Sequence, residues 1–341
     1  NLFKCFLPVA WRAASQGGVQ GYIHPEGIYD DPNAGIIRLE VYPRLRHHFQ
    51  FQNELKLFPI GNRNKFSLNI YGTRRSPRFL HISNLFHPKT VDTCFAHNGE
   101  SLVGGIKTLD GQWNLEGHRE RLIQIDENNL SLFSQLFDEP GTPADQARLP
   151  AIHTRKMQSV LEKVVSAPKR LSDLRDEYVA TPHFNETGSQ KDGTIRRETC
   201  FPDSPADLIL SGPHFQVGNP FFQTPKSICN THRAYDTIDL ETLPADYLPR
   251  TNYVPNTSNR VYSSRTPSVS WGERDAVTNY YRLAARAMLS QAGERTYVTA
   301  IVPKGVAHIN GVQTTVFSTV DRLILAASFA HSLLADFFVK S

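Results

Sequence analysis

The stretch Asn53-Glu-Leu-Lys-Leu-Phe-Pro-Ile-Gly-Asn-Arg-Asn-Lys-Phe-Ser-Leu-Asn-Ile-Tyr-Gly72 decides the reading of the first part of the chain. Its second half alternates, with Phe66, Leu68 and Ile70 on one face, and predicts a half-buried strand. Its first half is a polar, basic loop that sets Phe58 beside Pro59. Such a loop can offer Phe58 as a flat stacking face while Lys56, Arg63 and Lys65 attract an anionic backbone. Upstream, Phe49-Gln-Phe-Gln52 alternates in the same way. Residues 36–45 predict a helix that Pro43 ends early, because proline has no amide hydrogen to donate. Residues 19–24 predict a short buried strand, followed by a loop with Pro25, Gly27, Pro32 and Gly35. Three strands with one intervening helix predict an α/β segment. Arg74, Arg75, Ser76 and Pro77 mark a linker, so the first domain is expected at residues 1–72 and the second at 73–341.

Beyond that linker the pattern is mixed α+β. Met157, Val160, Leu161, Val164 and Val165 recur at helical spacing, and Leu171, Leu174 and Tyr178 resume it after Pro168. Together they predict a helical subdomain around residues 150–180. Residues 181–267 are rich in Pro, Gly and Asn and predict short strands joined by long loops. Val277, Tyr280, Tyr281, Ala284 and Met288 predict an amphipathic helix. A last helix, residues 319–339, is apolar nearly all round and reads as a core helix. Asp321, Arg322, His331 and Asp336 leave its uncharged part too short to span a bilayer, so no membrane partner is expected.

The 341 residues have room for two domains, and 40% hydrophobic with 21% charged residues is a globular composition. Cys5, Cys94, Cys200 and Cys229 are too scattered for a disulfide framework, which predicts a reducing cytoplasm. The start has no signal-peptide pattern, and a chain beginning at Asn1 reads as a piece of something longer. Charge is uneven. Residues 43–78 hold eight Lys/Arg against Glu54, a net of +7. Residues 250–304 hold eight against Glu273, Asp275 and Glu294, a net of +5. The whole chain is only +4, so the remainder is acidic. Two basic segments in an acidic remainder suit a polyanion, with Arg74, Arg75 and Arg78 as contacts in the first.

These blocks together resemble a known family. The Phe58 loop is similar to the loop that holds the flipped target base in TaqI-like, gamma-class adenine DNA methyltransferases, although here it is longer by Ile60, Gly61 and Asn62. Residues 21–31 resemble the strand and loop after the catalytic loop of large type IIG-like restriction-modification methylases. Residues 211–222 resemble the entry to their target-recognition domain, and residues 250–255, 280–286 and 294–303 resemble blocks within it. The resemblance implies that residues 1–72 complete a class I methyltransferase sheet and that 73–341 read the target. It implies target-base stacking by Phe58 and DNA contacts from Arg250, Asn252, Arg282, Arg286 and Arg295. It implies double-stranded DNA as partner and S-adenosylmethionine as cofactor, with the main cofactor motif and the catalytic loop upstream of Asn1. This chain alone is then expected to be inactive, completed by an N-terminal methyltransferase half.

Other readings stay open at this stage. The chain could be a non-catalytic DNA specificity subunit that partners a separate methylase. Asp30, Asp31, Glu54 and Lys56 mimic the acidic and Glu-x-Lys pattern of metal-dependent nucleases. Cys94 with His97 and Cys229 with His232 form two Cys-x-x-His pairs that zinc could join. Asn219-Pro-Phe-Phe222 imitates a catalytic Asn-Pro-Pro-aromatic loop, but its third residue is Phe and it follows the base-holding loop.

Overall fold

A computed structural model describes residues 2–167, 170–215, 219–231, 233–273, 275–288 and 295–340. It divides into two compact units, residues 1–168 and 169–340. The first contains helix α1 (Phe3–Ala13), strand β1 (Gln20–Pro25), α2 (Gly35–Val41), β2 (Leu45–Gln52), β3 (Lys65–Tyr71), β4 (Arg78–Leu85), α3 (Lys89–Ala96), β5 (Ile123–Asp126), α4 (Glu127–Phe137) and α5 (Arg155–Val165). The second contains β6 (Tyr178–Thr181), α6 (Glu186–Lys191), β7 (Ile195–Cys200), β8 (Ile209–Leu210), β9 (Gln223–Pro225), β10 (Tyr235–Thr237), β11 (Thr251–Pro255), α7 (Asn259–Ser264), β12 (Arg282–Arg286), β13 (Thr299–Val302), β14 (Ala307–His308), β15 (Val312–Phe317), α8 (Val320–Ala330) and α9 (Leu333–Lys340).

The first unit is built on one sheet of order β1-β3-β2-β4-β5. β3 runs antiparallel between β1 and β2, and β4 lies parallel to β2. The alternation in the sequence places Phe49, Phe51, Phe66 and Ile82 in one apolar cluster, against Cys94 of α3. α2 ends at Val41, two residues before Pro43, as proline chemistry requires. Asp126 caps α4 with a reciprocal pair of bonds to Asn129, and Thr154 caps α5.

Several expectations are corrected here. β1 is an edge strand: only His24 is buried and Ile23 is 57% exposed, because β1 pairs with β3 on one side only among the described residues. Residues 73–77 are not a domain linker. They turn the chain from β3 into β4 of the same sheet, with the Arg75 amide bonded to the Pro43 carbonyl, and the units divide near residue 168 instead. α5 therefore belongs to the first unit, packed on α4, whereas Leu171–Glu177 is a 3-10 segment of the second.

The second unit holds a four-stranded antiparallel sheet, β13-β12-β15-β6, with the two-stranded pairs β7–β11, β9–β10 and β8–β14 beside it. Among the described residues of 181–267 there are short strands, two short α-helices and two 3-10 turns, in line with the Pro/Gly/Asn content. The helix expected over Val277–Met288 is instead a 3-10 turn, Val277–Asn279, followed by β12. β12 sits between β13 and β15 and buries both faces. Leu283 joins Phe317 and Leu323 on one side, and Ala284 joins Val302, Val312 and Phe215 on the other. A strand buried on both faces loses the simple alternation that identifies it.

The C-terminal helix is likewise two helices, bent by 70° between Ala330 and Leu333. It is not wholly buried. Leu323, Ala327 and Ala330 face the sheet, while Val320, Ile324, Leu325 and Phe329 are exposed. Among the described residues no single helix is long and apolar enough to cross a membrane, though the bent pair passes by length and composition together.

Candidate functional site

The loop after β2 is organised by one buried side chain. The Asn53 amide donates to the carbonyls of Phe58 and Ile60, at 2.9 and 3.0 Å, and its oxygen accepts from the Phe58 amide at 3.0 Å. The Asn53 amide nitrogen of the main chain closes the loop on the Asn64 carbonyl at 3.0 Å. Lys56 takes a left-handed conformation, φ 52°, to make the turn. Phe58 is thus held by its backbone, not by its ring. The ring meets Phe66 edge-on, with centroids 4.9 Å apart and planes at 88°, and stays 38% exposed.

Of the expected basic contacts around it, Lys56 and Arg63 are exposed and in no ion pair among the described residues, while Lys65 is half-buried. Arg74 is exposed but engaged, donating to both oxygens of Glu40 at 2.8 and 2.9 Å. Arg75 and Arg78 are exposed, and a groove of about 650 Å³ passes Arg74, Arg75, Pro43 and Glu127.

In the second unit the expected DNA contacts fare differently. Asn252 is buried, donating to the Tyr235 hydroxyl at 2.8 Å and accepting from Thr199 at 3.0 Å. Arg282 is fully buried in the centre of the sheet. Both are corrected, since a buried side chain cannot reach a groove. Arg250 lies over the Phe201 ring at 4.4 Å and bonds the Pro225 carbonyl. Arg295 is held by Asp336 at 3.6 Å and by the His331 carbonyl. Arg286 is half-buried at the end of β12.

Sequence reasoning missed a buried polar face on the first sheet. His24, His48, Gln50, Ser67, Asn69, Tyr71, His81 and Ser83 alternate with the apolar residues of the same strands. Register sets them side by side: His48 faces Asn69 and His81, Gln50 faces Ser67, and His24 faces Ser67. Glu26, just after β1, accepts from His48 at 3.2 Å and from Gln50 at 3.1 Å. The second nitrogen of His48 lies 2.8 Å from His81. Tyr29 donates to Asn69 at 2.6 Å and touches Tyr71, which bonds His24 at 2.9 Å.

Burial pushes the Glu26 carboxyl up, but the charge of His48 and the bonds from His48, Ser67 and Gln50 outweigh it and hold it at about 2. Burial, with the charge of His48, holds His81 at about 3. Arg38 seals this face, bonding the carbonyls of Ile28, Asp31 and Gln146. The network is closed to solvent and fixes the loop after β1; the polar half of a period-2 pattern was its only trace in the sequence.

The rival motifs do not assemble. Asp31 caps a turn and pairs with Lys4, and Glu54 accepts from Gln52 and Asn62. Among the described residues no three His, Cys, Asp or Glu side chains gather as a metal site, and His232 lies outside those residues, as do Arg274 and Glu294. Cys94 is buried in the apolar cluster. Phe221 packs on Phe215 in the core, with centroids 5.3 Å apart, so residues 219–222 form a turn of the β-rich unit.

No family model matches the chain, and no curated protein does. Among solved structures it is similar to the type IIG restriction endonuclease BpuSI, at 9% identity and a TM-score of 0.30. The alignment covers 98% of this chain but 38% of that one, so this chain spans well under half the length of that enzyme. The likeness is loose. In fold, the chain is a mixed α/β protein with several separate sheets.

Proposed function

We propose that this chain is the base-capturing and DNA-recognition part of a site-specific adenine DNA methyltransferase of the restriction-modification type. The observation that carries the reading is the loop locked by Asn53, which presents Phe58 partly exposed beside Lys56 and Arg63, two exposed cations in no ion pair among the described residues. A fixed aromatic face next to exposed positive charge suits an unstacked base on a phosphate backbone. The order β1-β3-β2-β4-β5, with α2 between β1 and β2 in sequence, supports the first unit as the end of a methyltransferase sheet that runs on past residue 72 through β4 and β5. The open edge of β1 leaves its backbone groups available to a further strand. In this reading S-adenosylmethionine is the methyl donor, the residues that hold it lie outside this chain, and the chain alone does not methylate. Recognition falls chiefly to the second unit.

The test is duplex DNA binding as a function of salt. Affinity is expected to fall linearly on logarithmic axes, because each neutralised phosphate releases counterions. Replacing Lys56 and Arg63 by Gln together should reduce the slope by about 1.8, at roughly 0.9 per phosphate contact. A slope unchanged by both substitutions would remove this loop from the interface.

A further inference from the structure

Arg38 of α2 is a buried charge with one nitrogen to spare. It is 1% exposed and forms no ion pair among the described residues. Its Nε donates to the Gln146 carbonyl at 2.7 Å, and Nη1 donates to the carbonyls of Ile28 and Asp31 at 2.9 and 2.8 Å. Nη2 has no partner among the described residues and is not sealed from solvent. The solvent it meets fills a cavity of about 310 Å³ in the first unit, lined by Arg38 together with Pro32, Leu136, Phe137, Glu139 and Arg148. The cavity reaches the surface at Pro32 and Glu139, both of which are exposed.

Arg148 is the second cation at this cavity. Its backbone amide and its Nε bond the two oxygens of Asp138, at 3.0 and 2.8 Å. Both terminal nitrogens of its guanidinium are left without a partner among the described residues, on a side chain that is 34% exposed. Asp138 is buried and spent on this pair, and Asp31 is paired with Lys4, so neither neutralises Arg38. One carboxylate remains free. Glu139 is exposed and in no ion pair among the described residues. α4 also ends at this wall, at Phe137, and a helix C-terminus carries partial negative charge.

A buried charge normally has a paired counter-charge, and a guanidinium does not escape by losing its proton. Free edges of two guanidinium groups around one cavity suit a carboxylate, whose paired oxygens accept from such donors. A bare anion would leave the rest of the wall unused. Glu139 and the end of α4 favour a positive group, while Pro32, Leu136 and Phe137 offer apolar surface. The volume lies at the lower end of the range for ligand pockets and admits only a small molecule.

We propose that this cavity binds a small α-amino acid with an apolar side chain, its carboxylate on Arg38 and Arg148 and its ammonium group toward Glu139. The proposal stands apart from the methyltransferase reading. Burial pulls the Arg38 guanidinium below its ordinary value, Arg148 adds to this, and a bound carboxylate would oppose both.

Calorimetric titration of the full chain with leucine, with isocaproate (leucine without its amine) and with isopentylamine (leucine without its carboxylate) tests it. Leucine is expected to bind saturably, one per chain. Isopentylamine should bind about tenfold more weakly or worse, the effect of losing a charge-assisted hydrogen-bonded pair. Isocaproate should bind several-fold more weakly than leucine. Arg148→Gln should weaken leucine and isocaproate alike, whereas Glu139→Gln should weaken leucine and leave isocaproate unchanged. Arg38→Met should abolish binding of both; should it fail to fold, Arg148→Gln and the exposed Glu139→Gln decide. Absence of saturable leucine binding, binding of either analogue as tight as leucine's, or a Glu139→Gln effect shared by leucine and isocaproate would overturn the proposal.

Discussion

Acidification below pH 6.5 is expected to destabilise both units well before the ordinary carboxylate range. Burial lowers His81 to about 3 and His153 to about 4 in the first unit. It lowers His183 to about 2 and His308 to about 4 in the second. The sign follows from proton counts. Between 6.5 and the lowered value the unfolded chain binds a proton that the folded chain refuses, so stability falls as pH falls.

Each such histidine costs about 1.4 kcal/mol per pH unit over that window. Two per unit remove roughly 3 kcal/mol per pH unit, from a total that for a domain is about 5–15 kcal/mol. Glu26 adds to this lower down. Its folded value of about 2 lies below the usual 4.5, so its contribution is present above 4.5 and lost on the way to 2. Equilibrium unfolding in urea at successive pH values should therefore show stability falling from pH 6.5 and the folded state lost near pH 4–5. His153→Gln keeps a donor for the Gly104 carbonyl, which His153 bonds at 2.9 Å, and should shift the loss to lower pH. Stability that stays level from pH 7 to 4.5 would mean that these histidines are not buried neutral.

Phe58→Ala should weaken capture of an unpaired adenine by about 5- to 150-fold, the equivalent of roughly 1–3 kcal/mol of lost base stacking. The comparison is between a fully paired duplex and one carrying a single bulged adenine, each titrated with the full chain. Wild type should prefer the bulged duplex, Phe58→Ala should lose the preference, and Phe58→Trp should keep more of it. Binding to paired DNA should change little, because the cations remain. The fold should survive as well, since the loop is held through Asn53 and the main chain and not through the ring. Asn53→Ala is the contrasting variant. It strands the carbonyls of Phe58 and Ile60 and should loosen the whole loop. An unfolded Phe58→Ala would make the residue core, and an unchanged preference would place stacking elsewhere.

The first unit was the more legible half. Local alternation identified β2 and β3, and Pro43 marked the end of α2. Those signals are short-range and survive without tertiary context. The polar face escaped because the strands were read for their apolar residues. The same period of two placed His48, Gln50, Ser67 and Asn69 on the opposite face. Arg74-Arg75-Ser76-Pro77 carries linker chemistry and yet serves as a tight crossing between strands, a distinction set by the pairing of β2 with β4.

In the second unit β12 is buried on both faces, so Val277, Tyr280, Tyr281, Ala284 and Met288 imitate a helical stripe by coincidence. Composition cannot separate an arginine facing a phosphate from one in a core. Arg282 and Asn252 proved to be interior, and the Asn53 lock on Phe58 depends on backbone groups that no motif records.

Selection from a randomised duplex pool tests the central claim most directly. The full chain is incubated with the pool at moderate salt, bound duplexes are recovered and amplified over several rounds, and their sequences are read. A target-recognition role predicts enrichment of one short, discrete motif containing an adenine. Recovery of DNA without any enriched motif would reduce the chain to a general polyanion binder and contradict the site-specific reading.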